Sequence, residues 1–226
     1  MKLVILDCDG TIVDSQNGIY EAMMHAFSGQ GLASPTRAET VAVVGLSLPE
    51  AFEVLAREHG EEIRTSLVQR YRTAFREFKR DPAHHEPLFE GMSTVIESFS
   101  AREDVMLGIA TGKSRSGVDR LFEREGWTEH FHTIQTADEH PSKPHPAMIH
   151  AAMAETGVGP AKTVMVGDTT FDMEMAVEAG VGALGAAWGY HRPDELLASG
   201  AQVLVETCSG LPTEVDAFFA RLEHVG

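Results

Sequence analysis

The chain opens on Leu3-Val4-Ile5-Leu6, four apolar residues that run straight into two carboxylates one residue apart, Asp7 and Asp9. A short continuous apolar run cut off by turn residues reads as a buried strand, and alternate side chains of a strand share a face. Asp7 and Asp9 therefore point the same way at the carboxyl end of that strand. Two bare carboxylates ~4 Å apart repel by roughly 4 kcal/mol at an effective dielectric near 20. Three readings are open: a cation lies between them, one of them keeps a proton, or the pair is an acidic turn after a short edge strand. Cys8 faces the other way and reads as a small core hydrophobe.

Comparable β-rich runs recur at Val105–Ala110, Thr163–Val166, Ala183–Ala187 and Gln202–Val205, with a weaker one near His132–Gln135. Helical stripes separate them, one carried by Val118, Leu121 and Phe122 and another by Met148, Ile149, Ala152 and Met153. Pro146 is expected in the first turn of the second helix and Gly157 at its end. Strands alternating with helices predict an α/β fold, a parallel sheet with helices on both faces, and ligands in such sheets bind beyond the carboxyl ends of the strands. Residues 16–86 break the alternation. Ile19, Met23, Ala26 and Phe27 mark one amphipathic helix, and Ile63, Leu67, Tyr71, Ala74, Phe75 and Phe78 a longer one. Between them Ser47 and Glu50 form a capping-box pattern ahead of Ala51, Phe52 and Leu55, with Pro49 in the first turn and Gly60 as a stop. Asp81, Pro82 and Pro87 mark the return. Residues 1–15 and 87–226 are thus expected to form a core, and 16–86 an inserted α-helical domain.

At 226 residues and 43% hydrophobic content the chain can bury a sizeable core. A formal charge of −16 argues against a nucleic-acid backbone or an anionic membrane as partner. One stretch runs the other way: Arg64, Arg70, Arg72, Arg76, Lys79 and Arg80 are accompanied by Glu77 alone. It is either a solvated helix face or a contact for a carboxylate or second phosphate. Two cysteines, Cys8 and Cys208, are too few for a disulfide framework and suit a reducing cytoplasm. The first apolar run is too short for a signal peptide, and no stretch reaches the ~20 apolar residues of a membrane span. A cytoplasmic protein, monomer or homodimer, is the expectation.

Three further strand ends bring polar residues toward Asp7. Thr111-Gly112-Lys113-Ser114 offers a hydroxyl, a permissive glycine and a helix start, a plausible phosphate cradle, in which Lys113 reads as a solvated side chain and Thr111 as a phosphate contact or a helix cap. Lys143 stands among Pro141, Pro144 and Pro146, which stiffen its backbone. Gly167-Asp168-Thr169-Thr170-Phe171-Asp172 adds two carboxylates. Four aspartates, a lysine and a threonine at one sheet edge predict a hard-cation and phosphate site, and oxygen-only ligands favour Mg²⁺ over zinc or copper. Gly180 to Gly185 matches G-x-G-x-x-G but follows a helix and enters a strand, the reverse of the dinucleotide-binding order. Gly108 to Ser114 is one residue short of a nucleotide-triphosphate loop, and His84 and His85 read as exposed. Trp188, Tyr190 and His191 either line a pocket rim or close the sheet end.

Asp7-x-Asp9-Gly10-Thr11, Thr111-Gly112, Lys143-Pro144 and Gly167-Asp168-x-x-x-Asp172 resemble the four ordered motifs of the haloacid dehalogenase superfamily, over almost the whole chain. The helical insertion resembles that superfamily's small cap, as in phosphoglycolate phosphatases and β-phosphoglucomutases. The resemblance implies a Rossmann-like core and Mg²⁺-dependent hydrolysis of a small phosphorylated metabolite. In that reading Asp7 attacks phosphorus and becomes an aspartyl-phosphate, and Asp9 is the general acid and base. Mg²⁺ is held by the Asp7 carboxylate, the Asp9 backbone carbonyl and Asp168, with Asp172 in support. Thr111, the Gly112 amide and Lys143 bind the phosphoryl oxygens. Dehalogenases usually carry an aromatic residue where Asp9 stands, so the aspartate points to the phosphate-handling branch. A phosphosugar mutase is the alternative, although Val43 to Leu48 lacks the basic residue usual there. A non-catalytic binding protein and a dehalogenase come after it.

Overall fold

The computed structural model describes residues 1–78 and 86–223. Strands β1 (Lys2–Leu6), β2 (Val105–Thr111), β3 (Thr133–Thr136), β4 (Thr163–Gly167), β5 (Gly182–Ala186) and β6 (Val203–Val205) form one sheet in the order β3-β2-β1-β4-β5-β6, with every pairing parallel. Each run expected from the sequence is present, shifted by a single residue at one end or both. The helices are α1 (Gln16–Ser28), α2 (Arg37–Val41), α3 (Leu48–Leu55), α4 (Glu61–Phe78) and α5 (Met92–Ser100). They continue with α6 (Arg115–Glu125), α7 (Ala147–Thr156), α8 (Thr170–Ala179), α9 (Pro193–Ala198) and α10 (Leu211–Glu223).

β1 shows why these strands are apolar throughout. Val4 and Leu6 enter one core with Phe99, Phe122, Trp127 and Phe219, from the side of α5, α6 and α10. Leu3 and Ile5 enter the opposite core with Met148, Met173 and Leu196, from the side of α7, α8 and α9. A strand covered on both faces has no solvent side to make polar. Cys8 lies fully buried in the first of these cores, as its parity predicts.

Helices α1, α3 and α4 pack around a third cluster of their own, centred on Phe27, Phe52, Leu67 and Tyr71, with Phe27 stacked on Phe52 at 5.9 Å. Three local expectations shift here and in α7. Pro146 is the N-cap of α7 rather than part of its first turn, while Gly157 ends that helix in the left-handed region at φ 71. α3 stops at Leu55, so Gly60 precedes α4 instead of terminating α3. The Ser47–Glu50 capping box does not form, because the Ser47 amide donates to Ser142 Oγ at 2.8 Å. α2 has a complete box, with the Glu39 amide donating to Thr36 Oγ1 and the Thr36 amide to Glu39 Oε2. Lys79, Arg80, Asp81, Pro82, His84 and His85 lie outside the described residues. Among the described residues, no helix is long and apolar enough to cross a membrane.

The chain runs from β1 outward through β2 to β3 and returns to β4 on the other side of β1. The strand order therefore reverses at the carboxyl ends of β1, β2 and β4, where open α/β sheets hold their ligands.

Candidate active site

Asp7 follows β1, Thr111 ends β2 and Asp168 follows β4, so three adjacent strands deliver their polar residues to one crevice. The Asp7 amide donates to Val166 O at 3.0 Å, prolonging the β1–β4 ladder by one bond and fixing the carboxylate at the sheet edge. Asp7, Asp168 and Asp172 are fully buried, Lys143 is 2% exposed, and Thr111 is buried beside them. The Lys143 ammonium reaches Asp7 Oδ1 at 2.9 Å and Asp172 Oδ1 at 2.5 Å. Burial opposes the charge on Lys143, but Asp172 and Asp7 outweigh it and hold the ammonium above its ordinary range. Burial pushes the Asp7 carboxyl up to about 6, with Lys143 pulling it back and Asp172 adding to the rise.

The second aspartate is handled separately. Asp9 Oδ1 accepts from Lys113 Nζ at 2.5 Å, and the same ammonium lies 3.6 Å from Glu86 Oε2. Lys113 is only 9% exposed, so it is not the solvated side chain that its place at a helix start suggested. Burial works against its charge, yet Asp9 and Glu86 together hold it above its usual range. Asp7 and Asp9 thus each meet an ammonium group, Lys143 and Lys113 respectively.

Asp168 is braced rather than ion-paired. Its Oδ1 accepts from Thr11 Oγ1 at 2.7 Å and its Oδ2 from the Tyr190 amide at 2.9 Å. Burial raises its carboxyl well above the ordinary value, Asp7 and Asp172 add to this, and those two donors oppose it. Gly10, at φ 92, passes so close to the Asp168 carboxylate that any Cβ there would collide with it. Trp188, Tyr190 and His191 close the sheet end: Trp188 Nε1 donates to Thr11 O, and Tyr190 OH accepts from the Ser15 amide, just ahead of α1. Asp172 Oδ2 accepts from the Thr169 hydroxyl and amide at the start of α8.

Above these residues lies a cavity of about 640 Å³, with Asp7, Asp9, Thr111 and Lys113 among its lining on the sheet side. Glu50, Arg72 and Arg76 line it from the helical layer, and Arg120 from α6. Two of the basic residues singled out in the sequence thus face this space. The Gly45–Ser47 segment rests on the core: a Cβ on Gly112 would stand 2.7 Å from Leu46 O and 2.8 Å from Gly45 O. Only glycine allows that approach. Ser142 was missed by sequence reasoning because nothing local distinguishes a serine that meets a backbone amide 95 residues away.

One carboxylate oxygen from each of Asp7, Asp168 and Asp172 lies within 4.8 Å of the others, the only such acidic, histidine or cysteine group among the described residues. Neither Asp7 oxygen has a hydrogen bond of full geometry, although both are buried. Buried, oxygen-only ligands, with the Asp7 oxygens short of a full hydrogen bond, fit a hard divalent cation. The Asp9 carboxylate stands outside this group, engaged by Lys113.

Sheet and site define an α/β protein whose buried carboxylates gather beyond the strand ends. A family model described as haloacid dehalogenase-like hydrolase matches residues 4–186. The "Probable phosphatase IndB" of Dickeya dadantii strain 3937 is 38% identical over 212 residues, covering 92% of this chain and 90% of that protein. "Pyrophosphatase PpaX" of Anoxybacillus flavithermus is 29% identical over 215 residues, covering 93% and 95%. A solved haloacid dehalogenase-like family hydrolase from Streptococcus pneumoniae superposes with a TM-score of 0.80 at 26% identity, over 97% of this chain and 98% of that one. The chain belongs to the haloacid dehalogenase-like hydrolases.

Proposed function

We propose that this hydrolase is a Mg²⁺-dependent phosphatase of small phosphomonoesters, akin to phosphoglycolate phosphatases, that works through an aspartyl-phosphate on Asp7. The carrying observation is the buried Asp7 carboxylate, held by Lys143 on one oxygen and lacking a full hydrogen bond on either. In the first step an Asp7 oxygen bonds to phosphorus as the bond to the leaving oxygen breaks, and Asp9 supplies the proton that oxygen needs. In the second, water attacks the same phosphorus, gives its proton to Asp9 and releases Asp7 and inorganic phosphate. Proton transfer by a positioned group of this kind contributes about 10²- to 10⁴-fold. Thr111, the Gly112 amide and Lys143 bind the phosphoryl oxygens, where preorganised donors stabilise developing charge.

Mg²⁺ would be held by Asp7, Asp168 and the Asp9 backbone carbonyl, with Asp172 in support because Lys143 and Thr169 already occupy its oxygens. Bound there, it neutralises phosphoryl charge and orients the ester. Residues 16–86 act as a cap over the core of 1–15 and 87–226, sheltering the site while admitting one water. Buried free Cys8 and Cys208 suit a reducing cytoplasm.

Phosphate release from phosphoglycolate, sugar phosphates, nucleoside monophosphates and pyrophosphate, with and without Mg²⁺, tests this directly. Mg²⁺-dependent release is expected; release at full rate by an Asp7→Asn variant would remove the nucleophile. The mutase alternative rests on the same aspartates and predicts isomer formation from a hexose 1-phosphate instead of phosphate release. The absence of a cation from Val43 to Leu48 favours hydrolysis.

A further inference from the structure

Glu50 occupies the third position of α3 and lines the cavity whose other side holds Asp7 and Thr111. Its Oε2 is buried, and no described group hydrogen-bonds to it. A buried carboxylate oxygen without a donor is costly and is seldom left so. The sequence provides a local partner, the Ser47 amide three residues back, through the capping-box pattern. The Thr36–Glu39 pair of α2 has the same pattern and closes its box, with Thr36 N to Glu39 Oε2 at 2.8 Å and Glu39 N to Thr36 Oγ1 at 3.2 Å.

Ser142 makes the difference. Its Oγ takes the Ser47 amide at 2.8 Å, which leaves Glu50 with no capping role. Ser142 adjoins Lys143, so the loop that carries the phosphoryl-side lysine also takes the amide that Glu50 would otherwise cap. Arg72, Arg76 and Arg120 line the same space, but none of them pairs with Glu50.

Resting on the phosphatase reading of this site, we infer that Glu50 determines specificity by accepting a hydrogen bond from a hydroxyl or ammonium group on the leaving group. The substrates are then phosphate esters of polyols, sugars or amino alcohols rather than esters with a bare alkyl leaving group. Coupling to the cap follows from the same bonds. When Ser47 parts from Ser142, Glu50 is the residue placed to take the freed amide, so its carboxylate is offered to substrate only while the two layers touch.

Binding decides this independently of turnover. Calorimetry on the full-length Asp7→Asn protein with Mg²⁺ would compare glycerol 3-phosphate, ethanolamine phosphate and propyl phosphate. A charge-assisted hydrogen bond predicts roughly tenfold tighter binding of the hydroxyl ester, the ammonium ester or both than of propyl phosphate. Adding Glu50→Ala should bring the three within about twofold of each other, the residue of a lost contact. Glu50→Gln, nearly isosteric, should keep a preference for the hydroxyl ester and lose one for the ammonium ester. Equal binding of all three by the Glu50 protein, or a preference that survives Glu50→Ala, would overturn the assignment. Wild-type turnover of p-nitrophenyl phosphate separates the two claims. Turnover without donor preference removes Glu50 alone, whereas Glu50-dependent binding without any turnover removes the phosphatase and leaves Glu50 in place.

Discussion

Each aspartate of the site has been given a specific neighbour, and the neighbours differ in kind. Asp7 and Asp172 share Lys143, Asp9 and Glu86 share Lys113, and Asp168 has neutral donors alone. Asp7→Asn is expected to abolish phosphate release with the thermal unfolding transition retained. Lys113→Met should take from Asp9 and Glu86 the ammonium that both of them meet, a loss of about 3 kcal/mol by the usual cost of breaking a buried pair. Urea unfolding of the variant checks it, and an unchanged midpoint would return Lys113 to the solvent-facing role its sequence position suggested. The aspartates, Thr111, Gly112 and Lys143 were legible because each stands at a strand end or in the stretch that follows one, in a recurring order. Lys113 was not, because burial of a lysine depends on acids brought from elsewhere, and Glu86 is remote in sequence.

Elements meet in this fold through a few close approaches. Gly112→Ala must push the Leu46 and Gly45 carbonyls away, since both lie inside 3 Å of the new carbon. Turnover is expected to fall further than stability does, as read by kcat beside a melting curve, because the displaced segment covers the site and not the sheet. At the opposite face, Arg102 ties α10 to the β2 approach by hydrogen bonds to Asp216 and Asp104. The Arg102 guanidinium holds the Asp216 carboxyl below its usual range against a smaller effect of burial. A carboxyl lowered in the folded state stabilises fully above its unfolded value of 3.8 and ceases to do so as pH falls through the folded one. Asp216→Asn should therefore cost under about 1 kcal/mol at pH 7, given the half-exposed carboxylate, and the cost should vanish in strong acid and shrink in high salt. Strand positions were readable from apolar runs of the right length. The fate of the Ser47–Glu50 pattern was not, because a hydroxyl from another loop competes for the same amide.

Over the whole molecule, acids exceed bases by 16 charges, and among the described residues the Asp7, Asp168 and Asp172 group gathers three of those acids within reach of one ion. A divalent ion that binds only the folded chain stabilises it by about 2.7 kcal/mol at one hundred times its dissociation constant. Mg²⁺ should raise the melting temperature, a chelator should reverse the rise, and Asp168→Asn should erase it in the same scan. The alternation of strands and helices made the parallel sheet and the helical insertion visible in advance. The tie from Tyr190 to both Asp168 and Ser15 could not be seen, because it joins residues that meet only after the sheet has assembled.

β1 has a partner strand on either side and apolar cover above and below. Its amides should therefore exchange with deuterated solvent only when the entire molecule unfolds, while those of the rim strands exchange through smaller openings. Asp7, the proposed nucleophile, is moored to the segment expected to melt last, so fraying of β3 or β6 should leave its position undisturbed.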